Sequence, residues 1–191
     1  MNAYVKEDQP VEIFVIADRS GSMESIRDDA IGGFNSFLEE QRKVDGKANL
    51  TLVLFDDRYE VPVKSVDIHK VKPLTRETFV PRGMTAMNDA IGKAVAELSE
   101  IAPEKAIVCI ITDGAENSSK EFTNQQVKDK IKEVEAKGWQ VVFLAANIDA
   151  FSAGDSLGIN SATTFGFAAT AKGVQNAYAT MSASTRNYRS N

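Results

Sequence analysis

Four apolar runs of strand length, at residues 11–17, 50–55, 106–111 and 139–146, constrain the fold of this chain more than any other feature of its sequence. Runs so little interrupted by polar residues are buried on both faces, which is the situation of central strands in a parallel sheet covered by helices on each side. Residues 60–68 are more polar and include Pro62, which cannot donate to a ladder, so they are expected at a sheet edge. The turn residues Asp56-Asp57-Arg58-Tyr59 join this segment to the strand before it as a hairpin. A last short strand is expected near 162–167.

Between the runs lie segments with a helical period. Ile26, Ala30, Phe34, Phe37 and Leu38 make one apolar stripe; Met87, Ile91, Ala94, Val95 and Leu98 make a second; Val127, Ile131 and Val134 make a third. Gly138 ends the third helix just ahead of a strand, in the manner of a left-handed cap. Val174, Ala177, Tyr178 and Met181 mark a final helix, after which the polar residues from Ser182 to Asn191 are expected to fray. Strand and helix alternate throughout, which predicts an α/β fold: a doubly wound, mostly parallel open sheet with one antiparallel edge strand and helices on both faces. With 191 residues and no linker-like or repeated stretch, a single domain is expected, its core at about 11–182 and flexible ends at 1–9 and 183–191.

Composition narrows the function. The 22 Lys and Arg against 27 Asp and Glu leave a net charge of −5 with no basic cluster to track a phosphate backbone, so nucleic acid is not an expected partner. The single cysteine, Cys109, sits inside an apolar run, which excludes an internal disulfide and a cysteine-built zinc site. No run approaches the length of a membrane span and residues 1–8 lack a cationic start followed by an apolar stretch, so a cytoplasmic protein without membrane contact is expected. Asn117-Ser118-Ser119 matches a glycosylation acceptor only in form.

In doubly wound sheets, functional groups collect beyond the carboxyl ends of the strands at the switch point. There the chain reads Asp18-Arg19-Ser20-Gly21-Ser22, a carboxylate and two hydroxyls at alternate positions around a turn-permitting glycine. These are hard oxygen ligands. The competing reading is a plain helix-start loop in which Asp18 or a serine caps the helix near Glu24. Two further pieces sit on the same edge: Thr112-Asp113-Gly114 after the run 106–111, and Gly83-Met84-Thr85 ahead of the helix starting near Met87. Their convergence carries the signal.

These residues resemble the von Willebrand factor type A domain and its metal-ion-dependent adhesion site. Asp18-Arg19-Ser20-Gly21-Ser22 matches the family's D-x-S-G-S, Thr85 its loop threonine and Asp113 its second aspartate. The resemblance runs from about Val11 to the strand near Phe165. It implies a divalent cation, Mg²⁺ first with Mn²⁺ or Ca²⁺ as the other candidates, bound by Asp18, Ser20 and Ser22, with Thr85 direct or through water and Asp113 often through water. It also implies an open coordination position for the Asp or Glu of a protein partner. One departure is visible: many relatives carry two glycines before the threonine, where this chain has Arg82-Gly83-Met84, so Arg82 and Met84 are expected to shape the rim.

A shell of hydroxyls with one or two carboxylates suits Mg²⁺ and leaves it residual positive charge for an incoming anion. The leading expectation is therefore a metal-dependent protein-binding module and not an enzyme. The alternative is a Mg²⁺-dependent phosphoryl-transfer or hydrolytic enzyme using the same edge. Against it, no phosphate-cradling glycine motif occurs and His69, the only histidine, follows the edge strand. Asp56 and Asp57 are expected to make the hairpin turn, with Asp56 able to reach the outer shell of the ion; Asn147 and Asp149 either line the edge or make turns; Trp139 and Phe151 are expected to pack.

Overall fold

The computed structural model describes residues 9–191. The apolar runs form strands β1 (Val11–Asp18), β2 (Ala48–Phe55), β4 (Ala106–Thr112) and β5 (Gln140–Ala146), with β3 (Tyr59–Asp67) and β6 (Thr164–Phe167) at the edges. The order is β3-β2-β1-β4-β5-β6. β3 pairs antiparallel with β2, and every other pair is parallel. Because β1 is followed on one side by β2 and bordered on the other by β4, the strand order reverses beside it. That reversal opens a crevice at the carboxyl end of β1.

Alternate residues of the central strands feed two cores. Ile13, Val15, Leu52, Cys109 and Leu144 face helices α1 (Arg27–Arg42) and α5 (Ala171–Ser190). Phe14, Ile16, Val53, Ile110 and Phe143 face α2 (Met87–Ile101), α3 (Asn124–Ala136) and α4 (Ala150–Ser156). The layers on both faces account for strands that carry so few polar residues. Cys109 is fully buried, and burial pushes its thiol up to about 12, so it is chemically quiet. α3 begins with a capping box in which the Thr123 side chain accepts from the Gln126 backbone and the Gln126 side chain accepts in return. Gly138, with φ of +80°, lies just past its end.

The structure corrects two sequence-based expectations and adds one helix. Residues 183–190 do not fray but continue α5, where Ser182, Thr185 and Arg189 are buried. Arg189 donates from Nη1 to the Gln41 carbonyl at 2.6 Å and from Nη2 to the carbonyls of Val44 at 3.2 Å and Gly46 at 3.1 Å. Carbonyls at and just beyond the end of α1 thus find a cation on another helix, a polar packing that leaves no apolar period in the sequence. The added helix is α4, seven residues long and too short to show a stripe, started by Asp149 as its side chain accepts from the Ser152 backbone. The second correction is Phe151, on α4, which is 59% exposed and does not pack in the core, whereas Trp139 is buried and donates to the Pro103 carbonyl. The expectation of a flexible stretch at 1–8 lies outside the described residues.

Candidate metal centre

Asp18 is the last residue of β1, in register with Phe55 of β2. Its carboxylate is fully buried. Oδ1 accepts from the Ser20 backbone N–H at 2.6 Å, and Oδ2 accepts from the Thr112 hydroxyl at 2.6 Å. Thr112 is the last residue of β4, so the two strands that flank the crevice hold one carboxylate between them. The chain then turns through Gly21 into a 3-10 turn over Gly21–Ile26, ahead of α1. Ser20 occupies its cap position yet makes no side-chain capping bond, which removes the helix-start reading of the serines.

The two serine hydroxyls lie 3.2 Å apart, and Ser22 Oγ donates to Asp113 Oδ1 at 2.6 Å. Asp113 follows β4 and is buried; the Asn147 side chain, at the end of β5 in a left-handed conformation with φ of +58°, donates to its carbonyl at 3.0 Å. Burial raises the carboxyl groups of both Asp18 and Asp113 above the usual range; for Asp18, hydrogen bonds from Thr112 and Ser20 oppose that shift and the nearby charge of Asp113 adds to it.

Thr85 is brought in by a loop tied to both neighbouring segments. Arg82 N donates to the Arg19 carbonyl at 3.0 Å, Gly21 N to the Gly83 carbonyl at 3.2 Å, and Ala86 N to the Asp56 carbonyl at 2.8 Å. Gly83 adopts φ of +65°, which a side chain resists. Asn117 pins Thr85 by accepting from its N–H at 2.8 Å and donating to its carbonyl at 3.0 Å. The residue itself is buried. All five residues singled out from the sequence therefore lie at one edge of the sheet: Asp18 closes β1, and Ser20, Ser22, Thr85 and Asp113 lie in the segments that follow β1, precede α2 and follow β4.

Beside them is an ion-pair network that the sequence did not disclose. Asp56 is fully buried; Arg19 Nε lies 3.2 Å and Arg82 Nε 2.9 Å from its Oδ2, while its Oδ1 accepts from the Arg58 backbone at 2.7 Å. Both arginines also reach Glu60, Arg19 at 3.0 Å and Arg82 at 2.6 Å. The Arg19 hydrogen bond above all holds the Glu60 carboxyl down at about 2. Asp56 is thus a brace between loops, more than the turn residue expected of it. His69 lies at the opposite edge, just past the end of β3 and beyond the start of β2.

The donor set fits a small hard cation. In an octahedral shell with bonds of about 2.0–2.1 Å, adjacent oxygens lie about 3 Å apart. The Ser20–Ser22 and Ser22–Asp113 separations of 3.2 and 2.6 Å bracket that edge length. Among the described residues no three His, Cys, Asp or Glu side chains form a metal-holding group, so a cation held here would need the hydroxyls of Ser20, Ser22 and Thr85.

Solved structures share this architecture. The chain aligns with the proximal thread matrix protein 1 of the mussel byssus, in a form with a zinc-occupied metal-ion-dependent adhesion motif, at 15% identity and a TM-score of 0.70 over 94% of this chain and 46% of that one. It aligns with the von Willebrand factor domain of the pilus tip protein Mfa5 from Porphyromonas gingivalis at 11% identity and a TM-score of 0.70, over 93% of this chain and 95% of that one. The chain has the von Willebrand factor type A fold. A third match, the pilus adhesin SpaC of Lactobacillus rhamnosus GG, gives 17% identity and a TM-score of 0.72 over 96% of this chain and 31% of that one. The chain spans about half the length of the byssus protein. No protein-family model and no curated protein sequence matches it.

Proposed function

We propose that this von Willebrand factor type A chain is a metal-dependent protein-binding module without catalytic activity of its own. The observation that carries the reading is the chain of hydrogen bonds that links Asp18 to Ser20, Ser20 to Ser22 and Ser22 to Asp113, with Thr85 held on the loop tied to theirs. Asp18, Ser20, Ser22 and Thr85 would hold the ion, and Asp113 would hold it directly or through water. Mg²⁺ is the ion proposed, since a hydroxyl-rich shell with two carboxylates suits a cation that keeps several waters. Bound there, the ion supplies residual positive charge to an oxygen from outside, and the proposed occupant is an Asp or Glu side chain of a protein partner.

The zinc-occupied adhesion motif of the byssus protein, the pilus adhesin SpaC and the von Willebrand factor domain of the pilus tip protein Mfa5 support this reading. So does the placement of His69 away from the site, which leaves the edge without an imidazole to move protons. Affinity capture from the source cell, run with Mg²⁺, with EDTA, and with the D18N variant in Mg²⁺, tests the proposal. Partners retained only by the wild-type chain in Mg²⁺ are the expected result. Identical partners in all three arms contradict it, and turnover of a phosphoester that disappears in S20A would favour the enzymatic alternative.

A further inference from the structure

Four large hydrophobic side chains are exposed among the described residues, and three of them stand at the metal edge of the sheet: Val80 at 42%, Met84 at 53% and Phe151 at 59%. The fourth, Ile101, closes α2 at the other end. Single exposed apolar residues are ordinary, but their collection beside a proposed binding site is not. Local geometry presents Met84 outward. Arg82 is drawn down onto Asp56 and Glu60, Gly83 turns the chain with a positive φ, and Thr85 is pinned by Asn117, so residue 84 is left at the tip. Phe151 stands on the far side of the site, in the first turn of α4. It follows closely on Asn147, whose side chain holds the Asp113 carbonyl, while Ala150 and Gly154 take the buried side of that helix.

The charges of this edge decide what such flanks would meet. Arg19 and Arg82 are neutralised by Asp56 and Glu60. The exposed charged residues on the surrounding loops are Glu24, Asp57, Glu77, Glu121 and Asp149 against Arg58, Arg76 and Lys120. Apart from the ion, then, the rim offers no surplus of positive charge, and a partner carrying several carboxylates would meet repulsion around the one that it could place on the metal. A long, polarisable methionine and an aromatic ring favour apolar neighbours for that carboxylate instead.

We infer that Met84 and Phe151 are the apolar flanks of a docking surface centred on the proposed cation, and that its occupant is a protein loop presenting one isolated Asp or Glu between apolar side chains. The inference rests on the metal-dependent reading above and names the class of partner that this site takes. Val80 extends the same surface on the Met84 side.

The test is a displayed library of random constrained loops, selected on the full chain in Mn²⁺ and eluted with EDTA. Eluted clones are expected to carry a single acidic residue with a large apolar residue beside it. They are expected to bind M84S and F151S about tenfold more weakly or worse, the scale of losing one buried anchor. Both substituted side chains are more than half exposed, so the variants should fold, and both should titrate Mn²⁺ as wild type does. Clones rich in acidic tracts, or clones indifferent to both substitutions, overturn the inference and leave the metal-dependent reading standing. A library yielding no EDTA-eluted clone from a chain that still binds Mn²⁺ overturns the carboxylate-docking reading and this inference with it.

Discussion

Ser22 Oγ donates to Asp113 Oδ1 at 2.6 Å, joining two loops whose residues are 91 positions apart in the chain. The bond closes the crevice between β1 and β4 from above, as the Thr112 hydroxyl closes it from below through Asp18. In the proposed cation-bound state the Ser22 oxygen would offer a lone pair to the ion while its hydrogen stays on Asp113, since a hydroxyl can ligate and donate at once. Replacing Ser22 by Ala removes both roles. The S22A chain should bind Mg²⁺ some 10- to 100-fold more weakly by calorimetry, the scale seen when a group supporting a metal site is lost. Unchanged affinity would remove Ser22 from the ligand set.

Asp18 separates two effects that are easily confused. Its carboxylate is buried and accepts from both Ser20 N and Thr112 Oγ. In EDTA, D18N removes a buried charge and keeps an acceptor for Ser20 N, while Thr112 retains the Gly114 carbonyl at 3.1 Å as an alternative acceptor. D18N should therefore melt at or above the wild-type temperature without metal. D18A leaves the Ser20 N–H without its acceptor and should lose about 1–3 kcal/mol. Neither variant should gain stability from added Mg²⁺, whereas wild type gains it by mass action. Thermal melts with and without the ion check all four statements, and a D18N chain much less stable than wild type in EDTA would make Asp18 a loop brace above all.

The pH dependence of stability follows from Glu60. Its folded-state carboxyl is held at about 2, below the ordinary 4.5, by Arg19 and then Arg82. A depressed carboxyl contributes stability that is fully present above its unfolded value and is lost as pH falls toward the folded one. The E60Q chain should accordingly melt below wild type at neutral pH, and the two curves should converge between about pH 4.5 and 2. The gap will be small because the Glu60 side chain is 47% exposed and solvent screens the pair. A gap that stays constant down to pH 2 would show that Glu60 acts by packing and not by charge.

Arg189 gives a prediction far from the site. Its guanidinium holds the Gln41, Val44 and Gly46 carbonyls at the end of α1. Charge-assisted bonds of this kind contribute about 1.5–3 kcal/mol, so R189A should lower the melting temperature by several degrees with metal affinity unchanged. R189A melting like wild type would return 183–190 to the fraying tail expected from composition.

What the sequence made legible was whatever physics writes locally. Continuous apolar runs such as 106–111 announce a strand buried on both faces, and Pro62 announces an edge, so the sheet and its antiparallel border could be read directly. Asp18, Ser20 and Ser22 share one loop, and Asp113 and Thr85 each adjoin a readable element boundary. What was hidden depends on partners distant in the chain. Nothing in Arg19, Asp56, Glu60 or Arg82 taken singly shows that they form one network, and Asn117 looked like a chance glycosylation match until Thr85 was seen resting on it. Arg189 belongs to the same group: a polar residue on a polar helix face, buried only because another helix ends against it.

The most direct test of the account is calorimetric titration of Mg²⁺ and Mn²⁺ into chelator-treated protein, with wild type, D18N and T85A in parallel. One saturable site per wild-type chain, absent in D18N and weakened in T85A, is the predicted result. A wild-type chain that binds neither ion saturably, or a D18N chain that binds both as tightly as wild type, would contradict the assignment of this sheet edge as a metal centre.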